Sequence, residues 1–189
     1  MYNLTIINST VRPGRKGIDV AKWVLKEAEK CRLFNCTFAD LADINLPLMD
    51  ERFHPRLQKY EHEHTKQWSE LIKNSDAFVF VTAEYDYNYP APLRNALEYL
   101  FNEWSYKAAG LVSYGGISAG TRAVNALKAD LSTFKMVPIM DMVNFPFFEK
   151  LFDSDGNFKP EEISAKAAAK MFSEINRWTK GLKIIMEDR

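Results

Sequence analysis

Apolar residues in this chain follow two periods that alternate along its length. The short runs Leu4 to Ile7, Ala77 to Val81 and Ala108 to Tyr114 have the make-up of strands buried on both faces of a parallel sheet. Between them, apolar positions return at helical spacing. Ile18, Ala21, Val24, Leu25 and Ala28 form one stripe, with Lys22, Lys26, Glu27 and Glu29 largely opposite. Leu57, Tyr60, His64, Trp68, Leu71 and Ile72 form a second, which predicts one helix over 56–74 or two short ones. Pro90 and Pro92 suit a loop and a first helical turn, so a helix is predicted from Leu93 to Trp104. Val124, Leu127, Ala129 and Leu131 mark another. Ile163, Ala167, Met171, Ile175, Trp178, Leu182 and Ile185 mark a long closing helix from Glu161, with Pro160 as its first residue. Asn35 to Ala39 reads as an edge strand and Phe134 to Ile139 as the fifth strand, while Leu46 to Pro55 reads as loop.

Five strands alternating with five helices predict a doubly wound parallel sheet. A polar, glycine-containing turn follows the first strand, and a Rossmann sheet would need a sixth strand. The expected architecture is therefore α/β, a flavodoxin-like three-layer sandwich with strand order 2-1-3-4-5, in a single domain spanning 1–189. Ligands of such sheets bind at the carboxyl ends of the strands, because helices cover both faces.

Charge and cysteine content narrow the function classes. Lys+Arg and Asp+Glu are both 25, so no global field attracts nucleic acid or an anionic membrane. Cys31 and Cys36 form no CxxC pair and have no histidine at metal spacing, which argues against a zinc site or disulfide framework and makes the cytoplasm the expected setting. Residues 1–8 reach polar sequence too soon for a signal peptide, and no apolar run has the length of a membrane span. His62 and His64, two apart on a helix, would point to different faces and share no ion. Asp153 to Asn157 lacks the calcium-loop spacing and reads as a tight turn, so no metal is expected.

Three loops should meet at the carboxyl rim. The first, Ser9 to Gly17, precedes a helix whose N–H groups and dipole favour an anion; Arg12 and Arg15 add guanidinium forks, and Ser9 and Thr10 add hydroxyls. It is neither GxxxxGK[ST] nor GxGxxG, and a solvated basic turn is the other reading of the same residues. The second, Glu84 to Tyr89, carries three tyrosines, suited to packing on a planar ligand or at a subunit interface. In the third, Ser113 to Gly116, paired glycines let backbone approach a ligand, though a plain turn explains them too.

The stretch from Thr82 to Tyr99, through Glu84, Tyr85, Pro90, Leu93, Asn95 and Ala96, resembles the signature of the NADPH-dependent FMN reductase family. Its flavodoxin-like members include azoreductase-like and quinone reductase-like flavoproteins. Segments 46–51, 64–69 and 113–116 also resemble family segments, and the similarity covers roughly Leu4 to Leu131. The resemblance implies a noncovalent FMN, with its phosphate on Ser9, Thr10, Arg12, Arg15, Gly17 and Ile18. Its ring system would lie beside Glu84, Tyr85, Asp86 and Tyr87 and beside Ser113, Tyr114, Gly115 and Gly116. It also implies NAD(P)H as cosubstrate and a homodimer whose partner subunit finishes the pocket, with pairing into a tetramer left open.

Departures from the pattern are Ala83 for a usual proline, Arg94 for a usual lysine, and Asp86 for a common asparagine. The first loop leaves open whether Ser9 or Thr10 holds the family serine's place. An ionised Asp86 accepts hydrogen bonds but donates none, and its charge would oppose an anionic reduced flavin, so Asp86→Asn is expected to raise the flavin potential. The implied activity is NAD(P)H oxidation through FMN, with electrons passed to a small acceptor such as a quinone, azo compound, free flavin or metal oxyanion. A flavin-binding redox carrier or sensor for a protein partner is the alternative, and a flavin-free scaffold a third. No side chain is expected to act as a catalyst itself.

Overall fold

The computed structural model describes residues 1–187, so residues 188–189 of the predicted domain lie outside it. Its centre is a five-stranded parallel sheet in the order β2-β1-β3-β4-β5. The strands are β1 (Tyr2–Asn8), β2 (Phe34–Asp40), β3 (Ala77–Ala83), β4 (Ala108–Tyr114) and β5 (Val137–Phe145). The helices are α1 (Gly17–Cys31), α2 (Leu41–Ile44), α3 (Glu63–Lys73), α4 (Ala91–Glu98), α5 (Thr121–Thr133) and α6 (Glu162–Glu187). The predicted fold class and strand order are both met.

Side-chain alternation along the strands builds two cores. Leu4, Ile6, Val79, Val81 and Val112 face α1 and α6, whereas Ile7, Phe78, Phe80 and Leu111 face α3, α4 and α5. The two faces differ in depth. Gly110 of β4 lies under α6, where an added Cβ would stand 2.6 Å from Ile175 Cδ1, so this strand lets the helix approach closely. On the opposite face the Phe78 ring meets Trp104 edge-on with centroids 5.0 Å apart.

Several boundaries differ from the sequence-based expectation. The fifth strand is Val137–Phe145, not Phe134 to Ile139. Phe134 ends α5, and Lys135 turns the chain at φ 59° before the strand can begin. Pro138 is accommodated because β5 is an edge strand. The predicted helix from Leu93 to Trp104 is shorter: α4 closes at Glu98, and Asn102–Trp104 form a separate 3-10 turn after Phe101 leaves helical geometry.

In the 56–74 region the two-helix alternative holds, with a 3-10 turn at Pro55–Leu57 before α3. His62 is therefore the extended residue preceding α3, and the expectation that His62 and His64 point apart fails. Their rings stack 5.2 Å apart, with His64 Nε2 3.1 Å from Asp50 Oδ1. The turn at 153–157 is as expected: Asp153 Oδ1 accepts the Asp155 and Asn157 N–H groups at 3.0 and 2.8 Å. Both cysteines are free, and no helix among the described residues is long and apolar enough to cross a membrane.

Candidate functional site

The chain leaves β1 at Asn8 and turns into α1 through Ser9 to Lys16. Lys16 caps α1, a 15-residue helix, without a side-chain hydrogen bond, and of the first-turn N–H groups Asp19 donates to the Lys16 carbonyl at 3.2 Å. Asp40, at the end of β2, holds this loop from below. Its Oδ2 lies 2.6 Å from Arg15 Nη2, and its Oδ1 accepts the Asn8 amide at 3.1 Å. Arg15 Nε is buried with no partner of its own among the described residues. The Ser9 hydroxyl, wholly buried, donates to Thr82 Oγ1 at 3.2 Å, while Thr10 lies 3.4 Å from the Tyr114 hydroxyl.

Beyond β3, Tyr85 and Asn88 exchange both backbone hydrogen bonds, at 2.8 and 2.9 Å, and so close a two-residue hairpin. Its central residues Asp86 and Tyr87 hold φ at 49° and 69°. Positive φ at both positions is what the tight turn requires, and a bulky residue there costs about 1–2 kcal/mol. Glu84, just before the hairpin, accepts from Ser118 Oγ at 3.0 Å and from Arg122 Nε at 2.6 Å. Burial alone would raise this carboxyl's pKa, but the hydrogen bonds from Arg122 and Ser118 outweigh it and hold the group below its usual range.

The turn after β4 is tied to the segment after β5. Gly116 accepts the Phe147 N–H at 3.0 Å, and Gly115 accepts that of Phe148 at 3.2 Å. The Tyr114 ring lies 4.7 Å from Phe148, and burial pushes its phenol pKa up to about 12.

These segments enclose a cavity of about 380 Å³ at the carboxyl rim, within the roughly 300–1,000 Å³ of small-molecule sites. Of the predicted residues, Thr10, Arg12, Arg15, Gly17, Glu84, Tyr85, Tyr114, Gly115 and Gly116 line it. Ser9 and Ser113 are buried behind the wall, Ile18 is half-buried in the first turn of α1, and Asp86 and Tyr87 stand at the exposed hairpin tip. Lys16, Ala83 and the run Phe147, Phe148, Glu149 and Lys150 also line the cavity, beyond the residues expected from sequence. That last run begins one residue, Pro146, beyond the true end of β5. Extending the strand's apolar pattern to Phe145 would have placed it at the rim.

A sheet in this order, with its cavity at the ends of β1, β3 and β4, agrees with a sequence comparison: the profile described as NADPH-dependent FMN reductase matches residues 2–150. The chain belongs to that family. This family member is 36% identical over 147 residues to an NAD(P)H-dependent FMN reductase of Schizosaccharomyces pombe, covering 76% of this chain and 73% of the relative. A Nectria NAD(P)H-dependent FMN reductase is 31% identical over 179 residues, covering 89% and 88% of the two chains. Among solved structures, the flavoenzyme NAD(P)H:(acceptor) oxidoreductase FerB of Paracoccus denitrificans superimposes with a TM-score of 0.77 at 21% identity, covering 96% of this chain and 98% of that one. At that identity the likeness of this FMN reductase family member to FerB is one of fold.

Proposed function

We propose that the protein is an FMN-dependent NAD(P)H oxidoreductase that reduces a small acceptor, a quinone, azo compound, free flavin or metal oxyanion. One observation carries the reading. A single cavity joins a cationic turn at a helix N-terminus to a wall of aromatic rings and glycine backbone. The residues suit a ligand with a phosphate at one end and a planar ring at the other. Arg12, Arg15 and Lys16 offer charge to the phosphate, the N-terminus of α1, which has no side-chain cap, offers backbone donors, and Arg15 Nε, unpartnered among the described residues, marks a donor in the same loop. Asp40 neutralises one face of Arg15 and holds the guanidinium in place.

Tyr85 and the Gly115–Gly116 backbone would flank the ring. A Cβ on Gly116 would meet nothing within 4 Å, so the backbone there is open to a ligand. FMN, when bound, supplies the hydride and electron transfer. The chain's own groups bind and orient it, and the Tyr114 hydroxyl, with its pKa near 12, stays protonated at neutral pH beside Thr10.

The same reading includes a homodimer. Leu48, 84% exposed, rims a second cavity of about 360 Å³, which Val11, Leu41, Leu46 and Pro92 also line beside the first loop. The apolar rim that Leu48 forms with Val11, Leu46 and Pro92 suits cover by a second subunit. A cytoplasmic setting fits the two free thiols. The deciding experiment is to record the visible spectrum of the purified protein with FMN, then follow flavin bleaching by NADPH and by NADH without oxygen. Bleaching by either is expected, and bleaching by neither overturns the enzyme reading.

A further inference from the structure

Arg122 occupies the second position of α5, where the helix dipole disfavours a cation. Its partners explain the placement. The guanidinium bonds the carboxylate of Glu84 through Nε at 2.6 Å and again through Nη2, reaches Ser118 Oγ at 3.1 Å, and lies 3.8 Å from the centroid of the Tyr87 ring. Glu84 precedes the hairpin and Tyr87 sits at its tip, so one side chain grips the loop at two points. Tyr87 is otherwise 69% exposed and holds φ at 69° in the turn that the Tyr85–Asn88 hydrogen bonds close. The gripped loop carries Glu84 and Tyr85 on the cavity wall, and α5 follows directly on the glycine turn that forms the opposite wall.

We propose that Arg122 is a positioning residue for the flavin loop: by holding Glu84 and Tyr87 together it fixes the 84–88 hairpin against the turn after β4. The inference rests on the FMN-dependent reading above. Glu84 then serves the site by anchoring its own loop to α5, and the backbone beside Tyr85 is presented to the ring in one conformation. Pre-organising a wall in this way lowers the ordering cost of binding.

The test compares wild type with Arg122→Met, Arg122→Lys, Glu84→Gln and the double variant Glu84→Gln/Arg122→Met. In flavin-free protein, chymotryptic cleavage after Tyr85 and Tyr87 is followed by mass spectrometry. In parallel, the FMN dissociation constant is taken from quenching of flavin fluorescence. Arg122 is a partly exposed side chain, so the global melting temperature serves as the control for folding.

Arg122→Met is expected to speed loop cleavage and raise the dissociation constant by about tenfold each, the size of one charge-assisted contact plus a stacked cation. Arg122→Lys should fall between, keeping the charge without the fork. The double variant should be no worse than the poorer single one, because both remove the same contact. A dissociation constant within twofold of wild type in Arg122→Met overturns the proposal, whether or not cleavage rises. A wild-type protein that binds no FMN overturns the oxidoreductase reading instead, and loop cleavage then still decides whether Arg122 holds the hairpin.

Discussion

A Cβ added at Gly17 would overlap the Tyr114 hydroxyl and stand 2.5 Å from Thr10 Oγ1. Tyr114 is 3% exposed and packed against Phe148, so it cannot swing away without disturbing the cavity wall. Gly17→Ala should therefore cost about 1–3 kcal/mol of stability, as overpacking does, and weaken FMN binding. Adding Tyr114→Phe should restore part of both losses, measured by urea unfolding and by flavin titration. Asp86 works the other way. Its carboxylate is exposed at the hairpin tip, outside the cavity wall, where solvent and salt screen its field. Asp86→Asn should still raise the flavin potential, but by less than about 30 mV, the shift that a tenfold preference gives a two-electron couple. An anaerobic redox titration reads this directly, and asparagine tolerates the left-handed turn, so the fold should be kept.

Among the elements, the 3-10 turn at Asn102–Trp104 and helix α3 are joined through a buried carboxylate. Glu103 Oε1 accepts from Ser69 Oγ at 2.7 Å, Tyr60 Oη at 2.8 Å and Gln58 Nε2 at 3.2 Å. Burial raises this carboxyl's pKa, but the donors from Ser69, Tyr60 and Gln58 prevail and leave it below the ordinary value. A depressed folded pKa gives stabilisation that is present above the unfolded value, about 4.3, and is lost as pH falls through the folded one. Glu103→Gln should cost about 1.5–3 kcal/mol near pH 7 and flatten the acid limb of stability below pH 5, read from urea midpoints between pH 3 and 7. Hydrophobic spacing shows α3 from Trp68 to Ile72 but is silent on Glu103, whose partners are 34 to 45 residues away.

For the whole molecule, the proposed homodimer places the test on the apolar rim at Leu48. Leu48→Asp should yield a monomer in analytical ultracentrifugation and raise the FMN dissociation constant at least about tenfold, about 1.4 kcal/mol, since a buried unpaired charge opposes association. A dimer with unaltered flavin affinity would place the interface elsewhere. The sheet itself was legible from sequence because each strand repeats its partition between two cores, Val79 and Val81 to one side and Phe78 and Phe80 to the other. The start of β5 was not, because Phe134 and Met136 are apolar for a different reason, sealing the end of α5 before the strand begins.

Sequence alone determined the alternation of strands and helices, because apolar runs and a 3.6-residue period are local consequences of backbone geometry, and the strand count with the turn after β1 pointed to the strand order and the loops that meet at the carboxyl rim. Family membership was legible in the stretch from Thr82 to Tyr99, where the signature is contiguous. Only the tertiary structure decided that the segment 147–150 joins the cavity, that Asp86 and Tyr87 stand outside it, and that Asp40 holds Arg15 while Arg122 holds Glu84. Those two pairs are 25 and 38 residues apart. No local period encodes such a pair; the winding of β1 between β2 and β3, and of β3 beside β4, brings their loops together at one edge of the sheet.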